Sequence, residues 1–71
     1  MQPTPRKYAE SVRMAVLAAG FSVRQVADVI GVSESTARRR LNGDLQFTVG
    51  EIHLLSQHLG LPVAALMGVS V

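Results

Sequence analysis

The sequence predicts an all-α fold, a compact bundle of five short helices. Apolar residues recur three or four positions apart in each segment, the spacing that places them on one face of a helix. Capping residues open these segments and glycine closes most of them. No stretch shows the alternating apolar pattern of a strand. The chain has 71 residues, so we expect one small domain.

Composition excludes several classes of protein. Apolar residues make up 48% of the chain and charged residues 17%, which indicates a globular rather than a disordered protein. The absence of cysteine excludes disulfides and thiolate metal sites. No apolar run approaches the roughly 18 residues that cross a membrane, and the N-terminus lacks the apolar core of a signal peptide. We therefore expect a soluble, cytoplasmic protein that does not bind membranes.

The first predicted helix begins at Pro5, after a short tail of residues 1–4, and ends at Gly20. Its apolar positions lie at helical spacing on one stripe. They are Tyr8, Val12, Ala15, Val16 and Ala19. Met14 and Leu17 widen this stripe, so we expect the helix to be more core than surface.

Two short helices, residues 23–30 and 34–42, are predicted in the middle of the chain. Ser22 and Gln25 have the spacing of a capping box, in which each side chain bonds a backbone N–H at the start of a helix. The turn Gly31-Val32-Ser33 joins the two helices, and its serine can cap the second. A helix, a turn containing glycine and a second helix form a helix-turn-helix.

The two central helices differ in how much apolar surface they carry. The second of the two has a thin apolar face of Ala37 and Leu41. Arg40 lies nearer that inner face, so we expect its stem to pack while its guanidinium reaches outwards. The first of the two has four apolar positions, of which the alanine is small enough to let the helices cross closely. These positions are Val23, Val26, Ala27 and Ile30.

The last two helices follow a turn at Asn42-Gly43-Asp44. Thr48 and Glu51 form a second predicted capping box, which opens a helix that ends at Leu59. Pro62 then opens a short final helix, and residues 68–71 form a C-terminal tail. The expected core residues of the fourth helix are Ile52, Leu55 and Leu59, with Leu54 alongside.

Positive charge is concentrated in the first part of the chain. Residues 1–41 carry seven positive and three negative charges, a net +4, whereas residues 42–71 carry only two negative charges. Such one-sided charge is typical of a protein that binds a polyanion. Arginines that only solvate a helix face would give the same count.

The chain from about Pro5 to Met67 resembles the Cro/repressor type of helix-turn-helix domain in phage and bacterial regulators. The resemblance is carried by the segments SVRQVADVIGVSESTARRRLNGD and FTVGEIHLLSQHLGLPVAALM. It implies a λ-repressor-like bundle over residues 5–67, in which the third helix enters the major groove of DNA and the second crosses the backbone. The positions in family register are Ala27, Gly31-Val32-Ser33, Leu41-Asn42-Gly43 and Leu59-Gly60-Leu61-Pro62.

The resemblance also implies which residues contact DNA. Arg39 can donate two hydrogen bonds to guanine, and Glu34 can accept one from cytosine. The implied base-reading residues are Glu34, Ser35 and Arg39, with Arg38 close by. The implied phosphate contacts, which set register without reading sequence, are Ser22, Arg24, Thr36, Arg40, Asn42 and Gly43. Weaker phosphate candidates are Arg6, Lys7 and Arg13.

Residue patterns give almost no support to an enzyme, a metal site or a cofactor. His53 and His58 are five positions apart, a poor spacing for one helix face, and no carboxylate or cysteine accompanies them. No serine has a recognisable base and orienting acid, and no glycine-rich phosphate loop exists. No small-molecule ligand is evident either.

Two functions of different classes therefore remain. The first is a sequence-specific transcriptional regulator, a phage-type Cro or repressor protein, that binds double-stranded DNA as a homodimer on a (pseudo)palindromic operator. The second is a helix-turn-helix used for protein contact, as an antitoxin, immunity or adaptor partner. The apolar end, residues 66–71, could serve either the second function or the self-contact of the first. The cationic cluster Arg38–Arg40, which lacks aromatic residues, favours DNA.

Overall fold

Five α-helices follow one another in the computed structural model, which describes residues 5–68 and the side chains of residues 8–68. This architecture confirms the predicted all-α fold, and α2 and α3 have the predicted bounds. Every helix in that part of the chain is too short or too polar to cross a membrane. The helices are α1 Pro5–Ala18, α2 Val23–Ile30, α3 Glu34–Asn42, α4 Val49–Leu59 and α5 Val63–Leu66.

Capping boxes set the starts of α2 and α4, as predicted. The Ser22 hydroxyl oxygen accepts from the Gln25 N–H at 3.2 Å, and Gln25 Oε1 accepts from the Ser22 N–H at 2.8 Å. The Thr48 hydroxyl oxygen and Glu51 Oε1 make the equivalent pair of bonds at 3.1 and 2.9 Å. Each box satisfies two N–H groups that a helix start otherwise leaves without a partner.

The turn between α2 and α3 depends on the left-handed backbone of Gly31, which has φ 75° and ψ 35°. The N–H groups of Gly31 and Val32 both donate to the Ala27 carbonyl, at 2.8 and 3.1 Å. A residue with a Cβ is strained in this conformation, which explains why a glycine stands here. The turn brings α3 back against α2 at a fixed angle.

All five helices contribute to one apolar core. Helix α3 packs on both α1 and α2, α4 packs on α2, and α5 closes the bundle against α1 and α4. Ala27 is buried in α2, which agrees with its expected place at a close helix crossing. The buried core residues are Val12, Val16, Val26, Ala27, Ile30, Ala37, Leu41, Ile52, Leu55 and Leu66.

The predicted apolar stripe of α1 was too wide. Met14 and Leu17 are each 65% exposed, and Ala19 is exposed as well. Successive residues of a helix are rotated by about 100°, so Met14 lies about 200° around the axis from the buried Val12. The core-facing stripe of α1 is therefore narrow, and its buried residues are Ala9, Val12 and Val16.

Helix α4 also differs from its prediction. Leu54 is 38% exposed, and Leu59 is only partly buried. Glu51 and Ser56, in contrast, are buried, although both are polar. The inner face of α4 thus includes a carboxylate, which requires a partner within the fold.

Candidate nucleic-acid interface

The outer face of α3 is polar and exposed. Its inner face is held in the core by Ala37 and Leu41, both buried. Because α3 has only these two buried residues, its position depends on the helices beneath it rather than on its own stability. All four predicted base-reading residues are exposed, and they are Glu34, Ser35, Arg38 and Arg39.

Two of these residues are paired with each other. Arg38 Nη2 donates to Glu34 Oε2 at 3.1 Å, one helical turn away, with both side chains more than half exposed. An exposed pair at this spacing stabilises a helix by only about 0.3–0.5 kcal/mol. Arg39, in contrast, makes no hydrogen bond or ion pair with any described side chain. Its guanidinium is therefore available to a ligand.

Capping serines stand at the starts of α2 and α3. The Ser33 hydroxyl oxygen accepts from the Thr36 N–H at 3.1 Å, and the same hydroxyl lies 3.0 Å from Thr36 Oγ1 as its donor. Ser22 is exposed, with Arg24 exposed in the first turn that follows. First-turn N–H groups of a helix lack partners within it and carry the positive end of the helix dipole. The start of α2 is thus suited to an anion.

Four of the predicted DNA contacts come together at one groove. Arg13 of α1, Ser22 before α2, and Arg38 and Asn42 of α3 all line this groove, which has a volume of about 520 Å³. Its remaining lining is apolar and is formed by Val16, Leu17, Phe21, Val23 and Leu41. Arg13 and Arg38 bring positive charge to the lining, which contains no acidic residue, and Arg38 is at the same time paired with Glu34. Nothing in the sequence shows that Arg13 and Asn42 line the same groove.

The exit of α3 is closed by internal hydrogen bonds. Gly43 adopts the left-handed conformation, with φ 87°, and its N–H donates to the Arg39 and Arg40 carbonyls. The N–H groups of Asp44 and Leu45 donate to the Arg39 carbonyl at 2.9 and 3.2 Å. These N–H groups are therefore engaged within the fold. The side-chain amide of Asn42 and the carboxylate of Asp44 are both exposed at this exit.

Arg40 does not reach outwards as expected. One terminal nitrogen, Nη1, donates to the Gln46 carbonyl, and Nε lies 3.1 Å from Glu51 Oε1. The side chains of Arg40 and Glu51 are only 17% and 10% exposed. This geometry corrects the prediction for Arg40, whose charge is directed into the fold by a carboxylate on α4. The only sequence signal for Glu51 was its place in the capping box.

The remaining predicted residues lie away from this groove or outside the described part of the chain. The side chains of Arg6 and Lys7, and residues 69–71, lie outside the part of the chain that the structure describes. His53 contacts Gln57, and the Nδ1 atom of His58 lies 3.1 Å from the Leu54 carbonyl. Within the described residues, no group of three or more histidine, aspartate or glutamate side chains is arranged to hold a metal ion.

Comparison with known proteins agrees with this geometry. The family model described as a helix-turn-helix domain matches residues 8–67, most of the chain. Searches of curated proteins and of solved structures give no significant match. The matched range includes the capped α2, the Gly31 turn and the exposed α3. The chain therefore belongs to the helix-turn-helix domain family and is a helix-turn-helix DNA-binding protein.

Proposed function

We propose that this protein is a sequence-specific transcriptional regulator of the Cro/repressor type, comparable to the small regulators of phages. It binds double-stranded DNA with α3 in the major groove and α2 across the backbone. The observation that carries this proposal is the exposed face of α3, where Glu34, Ser35, Arg38 and Arg39 stand on a helix anchored by buried residues.

The chemistry of this face suits the reading of bases. Arg39 is exposed and has no partner among the described side chains, so its planar guanidinium is free to donate two hydrogen bonds to guanine O6 and N7. Glu34 can accept a hydrogen bond from cytosine N4, and the Ser35 hydroxyl can bond a base or a phosphate. A face that offers both donors and an acceptor can discriminate between base pairs.

The groove between α1, α2 and α3 suits the phosphate backbone. Arg13 supplies positive charge there, and Ser22 and Asn42 supply uncharged hydrogen-bonding groups. Contacts of this kind fix the orientation of a protein on DNA without reading its sequence. We assign phosphate contacts to these three residues and to Arg24, while Arg40 is left out because its charge is engaged by Glu51.

We further propose that two copies bind a (pseudo)palindromic operator. Twofold proteins of this type read half-sites about 34 Å apart, one turn of DNA. The described part of the chain measures 30 × 25 × 20 Å, so two copies side by side fit half-sites at this spacing. The resulting homodimer would be isologous, with the same surface of each copy in contact.

Selection of bound duplexes from a randomised DNA pool at near-physiological salt tests the proposal. We expect an enriched inverted repeat, whose half-site spacing defines the dimer. The matched control is the same selection with Arg39→Ala, which should lose preference at one base pair of each half-site. An enriched single half-site would exclude binding as a dimer but would still support a sequence-specific regulator. No enrichment, with weak binding that salt abolishes, would contradict the proposal and favour the protein-contact function.

A further inference from the structure

Arg40 is a largely buried arginine, with its side chain 17% exposed, and arginine is rarely withdrawn from solvent unless it is paired. Arg40 directly follows Arg39, the exposed candidate for base reading, yet it lies about 100° further around α3 and its guanidinium turns towards Glu51 of α4. Its Nε atom is inaccessible to solvent and lies 3.1 Å from Glu51 Oε1, at a distance that allows an ion pair but without the alignment of a hydrogen bond. This pair joins α3 to α4 directly.

Glu51 has two tasks at once. Its Oε1 atom accepts from the Thr48 N–H at 2.9 Å and so caps α4, and the same atom faces Arg40 Nε. The start of α4 is therefore tied to the recognition helix through a single carboxylate. A displacement of α4 away from α3 would lengthen the ion pair or draw Oε1 away from the Thr48 N–H.

The segment between α3 and α4 is held at both ends by hydrogen bonds to Arg39 and Arg40, in the last turn of α3. The Arg40 guanidinium donates to the Gln46 carbonyl, and the carbonyl of Arg39 accepts from Asp44 and Leu45. Phe47, the next residue, packs against the core. Arg40 thus spans the whole connection, from the last turn of α3 to the first turn of α4.

We propose that Arg40 is a positioning residue for the DNA interface, an inference that rests on the proposed function. It holds the connection 43–48 and the start of α4 against α3, so that Asn42 and Arg39 meet DNA in one fixed register. It does this through Glu51 and Gln46, not through a phosphate. A buried ion pair is often no more stabilising than apolar residues of the same size, so geometric definition is the better reason for its presence.

The test uses three variants that replace each side chain by an unbranched or isosteric one and change its charge or its donors in different ways. Arg40→Met removes the charge, Glu51→Gln removes the charge but retains an oxygen that can cap α4, and Arg40→Lys restores the charge without the planar fork. Binding is measured by fluorescence anisotropy on the duplex that the wild-type protein enriches and on a scrambled duplex. Each titration is repeated over a series of salt concentrations, on protein that circular dichroism shows to be folded.

The positioning role predicts a distinct pattern. Arg40→Met and Glu51→Gln should each weaken binding to the enriched duplex about tenfold, because a looser interface must be ordered on binding. The double variant should bind no more weakly than Arg40→Met, since Glu51→Gln removes a link that Arg40→Met has already broken. Arg40→Lys should recover part of the loss. The slope of log K against log salt and the affinity for the scrambled duplex should hardly change.

Other outcomes would overturn the inference. A phosphate contact by Arg40 would lower the salt slope by about 0.9 in Arg40→Met and weaken both duplexes alike. A purely structural role would lower the melting temperature and leave the affinity of the folded protein unchanged. Independent losses in the two single variants would show that Arg40 and Glu51 do not act through each other.

A measurement without DNA separates this inference from the proposed function. Amide hydrogen exchange at Asp44 and Leu45, which donate to the Arg39 carbonyl, should accelerate about tenfold or more in Arg40→Met. The amides of Gly31 and Val32, in the α2 turn, serve as the internal control and should not change. If no duplex is enriched, the proposed function fails. The exchange measurement still tests whether Arg40 holds the connection 43–48 against α3. Amide exchange that accelerates equally at both turns, or at neither turn, would contradict the positioning role of Arg40.

Discussion

Arg38 donates a hydrogen bond to the carboxylate of Glu34 across one turn of α3, at 3.1 Å, so that two candidate base-reading residues are partners in the free protein. Both side chains remain more than half exposed, and the bond is therefore weak and easily exchanged for a bond to DNA. The pair presents a donor and an acceptor side by side at the start of α3. A change in either residue therefore also alters the surroundings of the other.

Glu34→Gln removes one charge of this pair while it retains the shape of the side chain. We expect the free energy of unfolding to change by less than about 0.5 kcal/mol, because the pair is exposed. The base preference opposite Glu34 should nevertheless change, since an amide can donate as well as accept. Thermal unfolding and a repeated selection from the random pool measure the two effects. A large loss of stability would show that the pair is structural.

Arg39→Ala should weaken binding to the preferred duplex by about 1–3 kcal/mol and relax the preference at one base pair. The reason is that a guanidinium with no partner among the described side chains can commit two of its N–H donors to one base. Titrations against duplexes that carry each of the four base pairs at that position measure the change. Equal loss on all four would mean that Arg39 touches only phosphate.

Asn42→Ala should weaken binding to all duplexes by a similar factor. Asn42 is exposed where α3 ends, on the lining of the groove that Arg13 and Ser22 also line, and a phosphate contact there carries no sequence information. Because asparagine is uncharged, the salt dependence of binding should stay constant. The measurement is a pair of titrations, on the preferred and on a scrambled duplex. A changed site preference would argue for a base contact instead.

Ala27→Leu should destabilise the protein by about 1–3 kcal/mol, because Ala27 is buried where α2 packs on the rest of the core and no space exists for three more carbons. The matched control is Asp28→Leu, one residue further along α2, where the side chain is exposed and the change should stay within about 0.5 kcal/mol. Urea unfolding followed by circular dichroism compares them. A similar loss of stability in both variants would contradict the close packing of α2 on the core at Ala27.

Helix α1 offers a test of its narrow buried stripe. Val12→Ala should cost about 1.5–3 kcal/mol, since Val12 is fully buried and its loss leaves a cavity. Met14→Ala, two residues later on the exposed side, should change stability by less than about 0.5 kcal/mol. Both values come from urea unfolding. A large loss of stability in Met14→Ala would mean that this side of α1 is covered by another surface.

Local sequence signals predicted most of the fold. The capping pairs Ser22–Gln25 and Thr48–Glu51 join residues three positions apart, and Gly31 supplies a left-handed backbone that other residues rarely adopt. Interactions of such short range depend little on the rest of the chain. The helix starts and the turn could therefore be read before any packing was known, as could the exposed polar face of α3.

Long side chains and shared surfaces were harder to predict. Arg40 lies on the part of α3 that α4 approaches, and only that approach supplies Glu51 as its partner. Arg13 and Asn42 are far apart in sequence, so the groove that they line exists only after α1 and α3 pack together. For the same reason the width of the buried stripe on α1 could not be known. Met14 and Leu17 are apolar, but no neighbouring helix of the described chain covers them.

The sequence by itself therefore determined the helices, their caps, the turn between α2 and α3 and the excess of positive charge in the first part of the chain. These features follow from backbone bonds within four residues and from composition. Only the tertiary structure decided that the charge of Arg40 turns inwards to Glu51, whereas Arg38 and Arg39 remain outside. The physical reason is that a buried charge requires an opposite charge beside it, and the packing of α4 on the bundle provides that charge at a single position.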